Sequence, residues 1–464
     1  MELDAEQRAT LGDVANFTTK WYIESGGLVR GSYSGRRLRV AVGVARRSEG
    51  EKDVECEVRA AREQGDTLEI RSHRLGLQGA KALARELRGD RTLRTVVLSD
   101  TGLSHGGAAV LAEAFLKNSA ITDVTLQLNG LGDHGASAVA HGLAAGATCN
   151  LSSLALEEEE IGEAGTRAVA VALSPHGHHG AALALLTKLS LRGNPISTPG
   201  AAALAGALHA NTTLESLDLS SCSLTGLGAA RLAEALPHNC TLRELRLVRN
   251  GIPVTGALAL AAGLLHNEGL ELLHIGANPC GIEGWLGYPQ SPGGRPAVPG
   301  LLQALRGPPL TELSLFSTEL GNAGAVELAR FLAHGDCQLE VLDIGDNHIG
   351  TAGAMQLAGA LMKQTTVTHL GLWGNPIGTG GKPDADALSK GIQRNKYLLS
   401  VSLHGTPLEA RSSEMGTINR ALIRNTKHAE MERKETEARE ASGTHTRNLP
   451  LLVTSRPFLT DCLS

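Results

Sequence analysis

Leucines recur at fixed positions along most of the chain, and the stretch 214–241 shows the pattern well. Leu217 and Leu219 alternate with polar neighbours, which predicts a short strand with one buried face. Leu232 and Leu236 follow at helical spacing, so they are expected to face the same core. The next 28 residues repeat the pattern position for position. Each unit is therefore predicted to contain one strand and one helix.

Twelve copies of this unit can be placed end to end if Leu214 is taken as position 1. They begin at residues 65, 93, 121, 151, 186, 214, 242, 270, 310, 339, 367 and 398. Position 15 is glycine in eleven copies, which predicts that the backbone passes close to its neighbour there. Position 9 is asparagine in six copies, namely Asn129, Asn194, Asn250, Asn278, Asn347 and Asn375. A buried amide at that position can bond to backbone groups of the turn.

This unit resembles the ribonuclease-inhibitor class of leucine-rich repeats, which also includes the repeat domains of NOD-like receptors and Ran GTPase-activating proteins. The matching pattern, L-x-x-L-x-L-x-x-(N/C)-x-L followed by a full helix, covers about residues 65–426. The resemblance implies an α/β fold, a leucine-rich repeat solenoid (horseshoe) with an inner parallel β-sheet, outer helices and about twelve repeats. It implies little about function, because the same scaffold serves unrelated tasks.

Three segments are expected along the chain. Residues 1–64 lack the repeat and are interpreted as an N-terminal capping segment, residues 65–426 as the leucine-rich repeat domain, and residues 427–464 as a charged C-terminal tail. An arginine-rich stretch at 30–47 is either a solvated face of the cap or a contact for an acidic partner or lipid. Residues 427–440 carry four basic and five acidic side chains, which favours a solvated helix or disorder.

Two insertions interrupt the register. The fourth copy ends in SPHGHHGAALA, whose His176, His178 and His179 have no cysteine or acid at ligand spacing within the loop. We therefore expect no metal site there, and no cofactor. The eighth copy carries GYPQSPGGRPAVPG, whose prolines and glycines predict a loop.

Composition narrows the class of protein further. The formal net charge of −5 argues against a nucleic-acid partner, and no apolar run is long enough for a membrane span. The seven cysteines form no C-x-x-C pair, which favours a reducing compartment over a disulfide framework. The amino-terminal residues are too charged for a signal peptide, so a cytoplasmic location is predicted.

The sequence contains no catalytic motif that the repeat pattern leaves unexplained. The chain has no G-x-x-x-x-G-K-S/T sequence, and its one G-x-S-x-G, Gly102–Gly106, falls on the turn of the second copy. The repeat itself explains that turn, whereas a nucleophile elbow would need distant histidine and acid partners. The sequence therefore predicts a protein that is not an enzyme.

Positions 3, 5 and 7 of each strand are expected to point out of the core, and two aromatic residues occupy position 7. Phe316 and Trp373 lie two strands apart with Gly345 between them, which would place the rings about 10 Å apart across a glycine floor. Asp343, Asp346, His369 and Glu312 are expected to surround this gap. Outward aromatic residues in an aromatic-poor protein are typical of an interface hot spot. A double alanine substitution at the two rings should abolish binding without lowering the melting temperature.

The leading hypothesis is a non-enzymatic scaffold that binds a protein partner on the concave face, chiefly through copies nine to eleven. An alternative is a GTPase activator similar to Ran GTPase activators, which makes a small GTPase a possible partner. The charge-balanced segment after the repeats differs from the long acidic segment typical of that family. A third reading is a regulatory or sensing protein similar to NOD-like receptor repeats without a nucleotide-binding module.

Overall fold

The computed structural model describes residues 50–72, 74–144, 150–174, 185–288, 298–306, 308–333, 337–363 and 366–441. The chain forms two compact units. The first unit comprises residues 35–319, and the second comprises residues 320–464 together with residues 1–34. The arginine-rich stretch at 30–47 and the histidines 176, 178 and 179 lie outside the described residues.

The first unit contains nine parallel strands that pair in sequence order. They are β1 (Thr67–Arg71), β2 (Thr95–Ser99), β3 (Asp123–Gln127), β4 (Ser153–Glu157), β5 (Lys188–Ser190), β6 (Ser216–Asp218), β7 (Glu244–Arg246), β8 (Leu272–His274) and β11 (Glu312–Ser314). The strands β9 (Gly287–Tyr288) and β10 (Val298–Pro299) form a separate antiparallel pair.

Helices alternate with these strands on the opposite side of the core. They are α1 (Gly50–Gln64), α2 (Gly76–Arg88), α3 (Ser104–Lys117), α4 (Gly132–Ala144), α5 (Glu163–Leu173), α6 (Ser197–Ala210), α7 (Thr225–Ala235), α8 (Val254–Leu264), α9 (Gly281–Leu286) and α10 (Leu301–Ala304), with a 3-10 turn at Leu236–His238. Helix α1 precedes the first repeat and leads directly into β1.

The second unit repeats the same layers. Its strands β12 (Val341–Asp343), β13 (His369–Gly371) and β14 (Ser400–Ser402) are parallel neighbours. Its helices are α11 (Gly321–Leu332), α12 (Thr351–Leu361), α13 (Lys382–Arg394) and α14 (Ser412–Ala441). All twelve predicted repeat strands are therefore present, and the predicted fold class, an α/β leucine-rich repeat solenoid with a parallel sheet and flanking helices, is confirmed.

Strand pairing follows the repeat position by position. Leu217 lies opposite Leu245, and Leu245 lies opposite Leu273, and all three side chains are buried. Leu232 of α7 is buried against the same core. Because identical positions stack on one another, each leucine position forms a continuous apolar row through the repeats.

The asparagines at position 9 connect each repeat to the one before it. Asn250 donates its side-chain N–H to the Leu219 carbonyl at 2.8 Å, and its Oδ1 accepts the backbone N–H of Cys222 at 2.9 Å and of Leu224 at 3.3 Å. Asn194, Asn278 and Asn375 make the equivalent bonds in their own repeats. The predicted role of this amide is confirmed, since it satisfies backbone groups that the sheet leaves unpaired.

A second asparagine series, which the sequence pattern did not reveal, lies where five of the repeats turn from helix toward the next strand. Asn239 donates its side-chain N–H to the carbonyls of Leu208 at 2.7 Å and Asn211 at 3.2 Å. Its Oδ1 accepts the backbone N–H of Leu242 at 2.8 Å. Asn118, Asn211, Asn267 and Asn395 act in the same way. Asn211 and Asn239 are buried in these bonds, although each begins an N-x-T sequence.

The close approach predicted at position 15 is confirmed. A Cβ placed on Gly256 would lie 2.9 Å from the Cα of Gly226 in the preceding repeat and 2.8 Å from the side chain of Ile252. The backbone of one repeat therefore occupies the space that a side chain on the next would need.

One element differs from the sequence-based expectation, and one proposed boundary lies within a helix. The insertion in copy eight was predicted to be a loop, yet its ends form two short antiparallel strands, with Tyr288 opposite Val298, because antiparallel pairing can join the two ends of an inserted segment. The boundary proposed between residues 426 and 427 falls inside one helix, α14. That helix is packed through Ile418 and Leu422 and continues beyond them with exposed charged side chains.

Candidate functional site

Trp373 is held in one orientation on the strand face of the second unit. Its indole lies directly against Gly345 of the preceding repeat, since a Cβ on that glycine would be 2.1 Å from Cε2 of the ring. The indole N–H donates to Oδ1 of Asp343 at 3.1 Å. Trp373 is half-buried, so it combines a fixed ring with a solvent-accessible part.

Asp343 holds the Trp373 indole in this orientation. Its side chain is fully buried, and the oxygen that accepts the indole N–H also accepts the backbone N–H of Gly345 at 2.9 Å. One carboxylate oxygen therefore fixes both the tryptophan and the turn beneath it. The aspartate is positioned to orient Trp373.

His404 completes the cluster and was missed by the sequence reasoning. Its imidazole stacks on the Trp373 indole with ring centroids 5.7 Å apart and planes 7° from parallel. Its Nδ1 is 3.0 Å from the Ser402 hydroxyl, and the residue is exposed. Partial burial lowers the pKa of His404 below its ordinary value, against an opposing effect of Glu409. The available signal was its place at position 7, one repeat after Trp373.

The glycine floor predicted between the aromatic residues is not open. Gly345 is buried under the Trp373 indole. Because glycine has no side chain at position 7, the ring of the next repeat can pack directly on its backbone. We name the group of Gly345, Trp373, His404 and Asp343 the tryptophan cluster.

The other two residues predicted for this unit lie nearby on the same strand face. His369 opens β13, is half-buried, and has its Nδ1 2.8 Å from the Thr368 hydroxyl. Asp346 is half-buried and donates its backbone N–H to the Trp373 carbonyl at 2.7 Å. Asp346 also has a left-handed backbone, with φ 50°, so its side chain is held at the turn after the strand.

In the first unit, Phe316 follows the same rule as Trp373. Its ring lies against Gly276 of the preceding repeat, where an added Cβ would be 2.3 Å from Cε1. Unlike Trp373 it is buried, with 5% of its surface exposed. Truncating a buried phenylalanine costs about 3–5 kcal/mol. The burial of Phe316 therefore predicts a lower melting temperature when this ring is lost, in contrast to the expectation from the sequence.

Glu312 is already engaged on its own strand face. Its Oε1 lies 2.8 Å from Nε2 of His274 on the neighbouring strand. His274 is buried and Glu312 is half-buried. Arg246 contacts Glu244 on the same face. We name these four side chains, His274, Glu312, Arg246 and Glu244, the polar stripe.

Glu157 in copy four also has a local partner. Glu157 is buried and accepts a hydrogen bond from the Ser190 hydroxyl at 2.7 Å. Burial raises the pKa of Glu157, against the opposing effects of the Ser190 hydrogen bond and the charge of Arg192.

The described cysteines carry no disulfide. Cys222, Cys280 and Cys337 are buried, whereas Cys56 and Cys240 are exposed. Burial raises the pKa of both the Cys222 and the Cys280 thiol to about 12. Within the described ranges, no group of three or more histidine, cysteine, aspartate and glutamate side chains is arranged to hold a metal ion. Among the helices described above, none has the length and apolar character needed to cross a membrane.

Comparison with known proteins supports this architecture. The family described as "Leucine Rich repeat" matches residues 183–205, 210–233, 238–261, 308–329 and 336–358. Ribonuclease inhibitor of Sus scrofa is 30% identical over 316 residues, which are 68% of this chain and 53% of that protein. NACHT, LRR and PYD domains-containing protein 5 of Bos taurus is 30% identical over 161 residues, 34% of this chain and 14% of that protein. The chain thus spans about half of the first relative and a small part of the second.

Among solved structures, one similar chain comes from "Crystal structure of Rad7 and Elc1 complex in yeast". It is 14% identical with a TM-score of 0.45, over 88% of this chain and 95% of that one.

The repeat register, the asparagine series and the strand–helix layers define a leucine-rich repeat protein. With the matches to ribonuclease inhibitor and to a NACHT, LRR and PYD protein, the chain belongs to the ribonuclease-inhibitor type of leucine-rich repeat, similar to the repeats of NOD-like receptors.

Proposed function

We propose that this chain is a non-enzymatic, cytoplasmic scaffold that binds a protein partner through the strand face of its repeats, with the tryptophan cluster as the main anchor. The observation that carries the proposal is the fixed, half-buried Trp373 ring. It rests on Gly345, donates to Asp343 and stacks on His404. A ring held in this way loses little conformational freedom on binding, so more of the contact energy appears as affinity.

The composition of the surface adds support. Only 3% of the residues are aromatic, and Trp373 is one of three tryptophans in the chain. Tryptophan is among the residue types that dominate binding energy at interfaces. A half-buried ring beside an exposed imidazole offers a partner an apolar contact with polar atoms at its edge.

We assign different roles to the six residues predicted from the sequence. Trp373, His369 and Asp346 are accessible and would meet the partner directly. Asp343 and Phe316 are buried, so they would shape the surface rather than touch the partner. Glu312, paired with His274, would contribute charge to the polar stripe on the first unit. His404 joins the direct contacts as the accessible face of the stack.

The test is affinity capture from a native cell extract with wild type, Trp373→Ala and His404→Ala. A partner held by Trp373 should bind the alanine variant at least about 30-fold more weakly, since central hot spots contribute about 2 kcal/mol or more. Met355→Ala is the control, because Met355 is also exposed but lies on helix α12 of the same unit. It should capture the same partner as wild type.

The outcomes separate the proposal from its alternatives. A partner retained by Met355→Ala and lost by Trp373→Ala supports both the scaffold role and the site. A partner captured equally by all variants would remove the tryptophan cluster as the anchor. If the captured protein is a small GTPase, acceleration of its GTP hydrolysis by micromolar chain would replace the scaffold with an activator.

A further inference from the structure

Two exposed histidines lie together at the turns that follow the helices of copies five and six. His209 is in the last turn of α6, and His238 ends the 3-10 turn Leu236–His238 one repeat later. Their ring centroids are 4.8 Å apart with an interplanar angle of 65°, and both side chains are exposed. The surface that they form is on the helix side of the repeats in the first unit.

The backbones that carry the two rings are fixed relative to each other. Asn239, next to His238, donates its side-chain N–H at 2.7 Å to the carbonyl of Leu208, which is next to His209. The same amide donates to the Asn211 carbonyl at 3.2 Å. The asparagine series thus holds the two imidazoles side by side without using either ring, which leaves both rings outside the packing of the repeat.

We infer that His209 and His238 form a binding site for a divalent transition-metal ion such as Zn²⁺, Ni²⁺ or Cu²⁺. Imidazole nitrogen is a preferred ligand for these ions. With metal–nitrogen bonds of about 2.0–2.1 Å, two imidazoles on one tetrahedral ion have ring centres about 5 Å apart, close to the observed separation. Two protein ligands leave two positions for water or for a ligand supplied by another molecule.

A second histidine pair in the chain provides a matched comparison. His105 of α3 and His134 of α4 are also exposed and also lie on neighbouring repeats. Their ring centroids, however, are 6.3 Å apart with an interplanar angle of 60°. That separation is more than a tetrahedral ion can bridge without a change of side-chain conformation. The first pair should therefore bind the metal more tightly than the second.

The experiment is calorimetric titration of the full chain with Ni²⁺ alone and with Zn²⁺ alone. Wild type is compared with the single variants His209→Ala and His238→Ala and with the control His105→Ala/His134→Ala. We expect one saturable site in wild type and in the control, and at least tenfold weaker binding in each single variant, because one imidazole cannot chelate. Apart from these four positions, wild type and the variants have the same histidines, so any binding to the remaining histidines is the same in every titration.

A stability measurement accompanies the titration. Without metal, all variants should melt with wild type, because the substituted side chains are exposed. With Ni²⁺, the melting temperature should rise in wild type and in the control but not in the two single variants. Equal affinity and equal metal-induced stabilisation in wild type and in His209→Ala and His238→Ala would overturn the proposal.

Discussion

Asn278 and Asn250 are joined in series, since Oδ1 of Asn278 accepts the backbone N–H of Asn250 at 2.9 Å. Asn250 in turn accepts the N–H of Cys222 one repeat earlier. Both amides are buried. Each amide therefore holds the turn that carries the asparagine of the preceding repeat. The loss of one of these hydrogen bonds is expected to weaken the hydrogen bonds of the neighbouring repeat as well.

Substituting Asn250 by alanine should lower the free energy of unfolding by about 2–4 kcal/mol. The change leaves the backbone N–H groups of Cys222 and Leu224 and the carbonyl of Leu219 without their side-chain partner, and buried unsatisfied groups carry the full desolvation cost. Urea unfolding monitored by circular dichroism measures the effect.

The control for this change is Asn150→Ala. Asn150 is exposed and donates its side-chain N–H to the Ser119 carbonyl at 2.9 Å. Its loss should change stability by less than about 0.5 kcal/mol. Equal effects of the two substitutions would show that the buried series does not support the fold.

The sequence revealed the first asparagine series but not the second. Position 9 stands out because Asn129 and Asn194 follow an alternating strand at a constant distance. Asn118 and Asn211 instead follow helices, where an asparagine is unremarkable in one repeat. Their function depends on the carbonyls of the preceding helix, which only the stacked structure brings within reach.

Glu159 occupies position 9 of copy four, where other repeats have asparagine. It is fully buried, and its carboxylate accepts the backbone N–H of Asn129 at 2.9 Å and of Leu131 at 3.2 Å. Its other oxygen accepts the side-chain N–H of Asn129 at 3.0 Å. Burial raises the pKa of Glu159 above its ordinary value of 4.5, although these hydrogen bonds oppose the shift.

This raised pKa predicts how stability depends on pH. Between 4.5 and the higher folded-state pKa, the unfolded chain has lost the proton that the folded chain keeps. The contribution of Glu159 to stability should therefore fall as pH rises through this window and level off above it. Glu159→Gln cannot titrate, so the stability of wild type relative to this variant should decline as the pH rises above about 4.5. A relative stability that instead rises with pH would contradict the assignment.

A close backbone approach can be tested with two glycines in helices. A Cβ on Gly263 of α8 would lie 2.4 Å from the Ala233 carbonyl oxygen, whereas a Cβ on Gly206 of α6 would meet nothing within 4 Å. Gly263→Ala should destabilise the protein by about 1–3 kcal/mol, because backbone must shift. Gly206→Ala should stabilise it by about 0.5–1 kcal/mol through helix propensity. Thermal unfolding of both variants gives the sign directly, and a stabilised Gly263→Ala would refute the close approach.

Sequence reasoning selected Trp373 and Gly345 but did not foresee their contact. The pattern fixed that both occupy position 7 on neighbouring strands, and hence that both lie on the same face. It could not fix the direction of the indole, which depends on the Asp343 acceptor and on the His404 ring. The same holds for Phe316. Its place at position 7 predicted a side chain that points out of the core, whereas its burial against Gly276 depends on the side-chain conformation, which the pattern does not determine.

Gly345→Ala tests whether the orientation of Trp373 matters for binding. The new methyl group would collide with the indole, which is 2.1 Å from that position, so the ring should leave both Gly345 and its Asp343 bond. We expect a loss of about 1–3 kcal/mol in stability, an altered near-ultraviolet circular dichroism spectrum, and loss of the partner captured by wild type. Gly359→Ala in α12, where a Cβ meets nothing within 4 Å, should leave the spectrum and the capture unchanged. If Gly345→Ala alters the spectrum but still captures the partner, Trp373 is a packing residue and the strand face binds elsewhere.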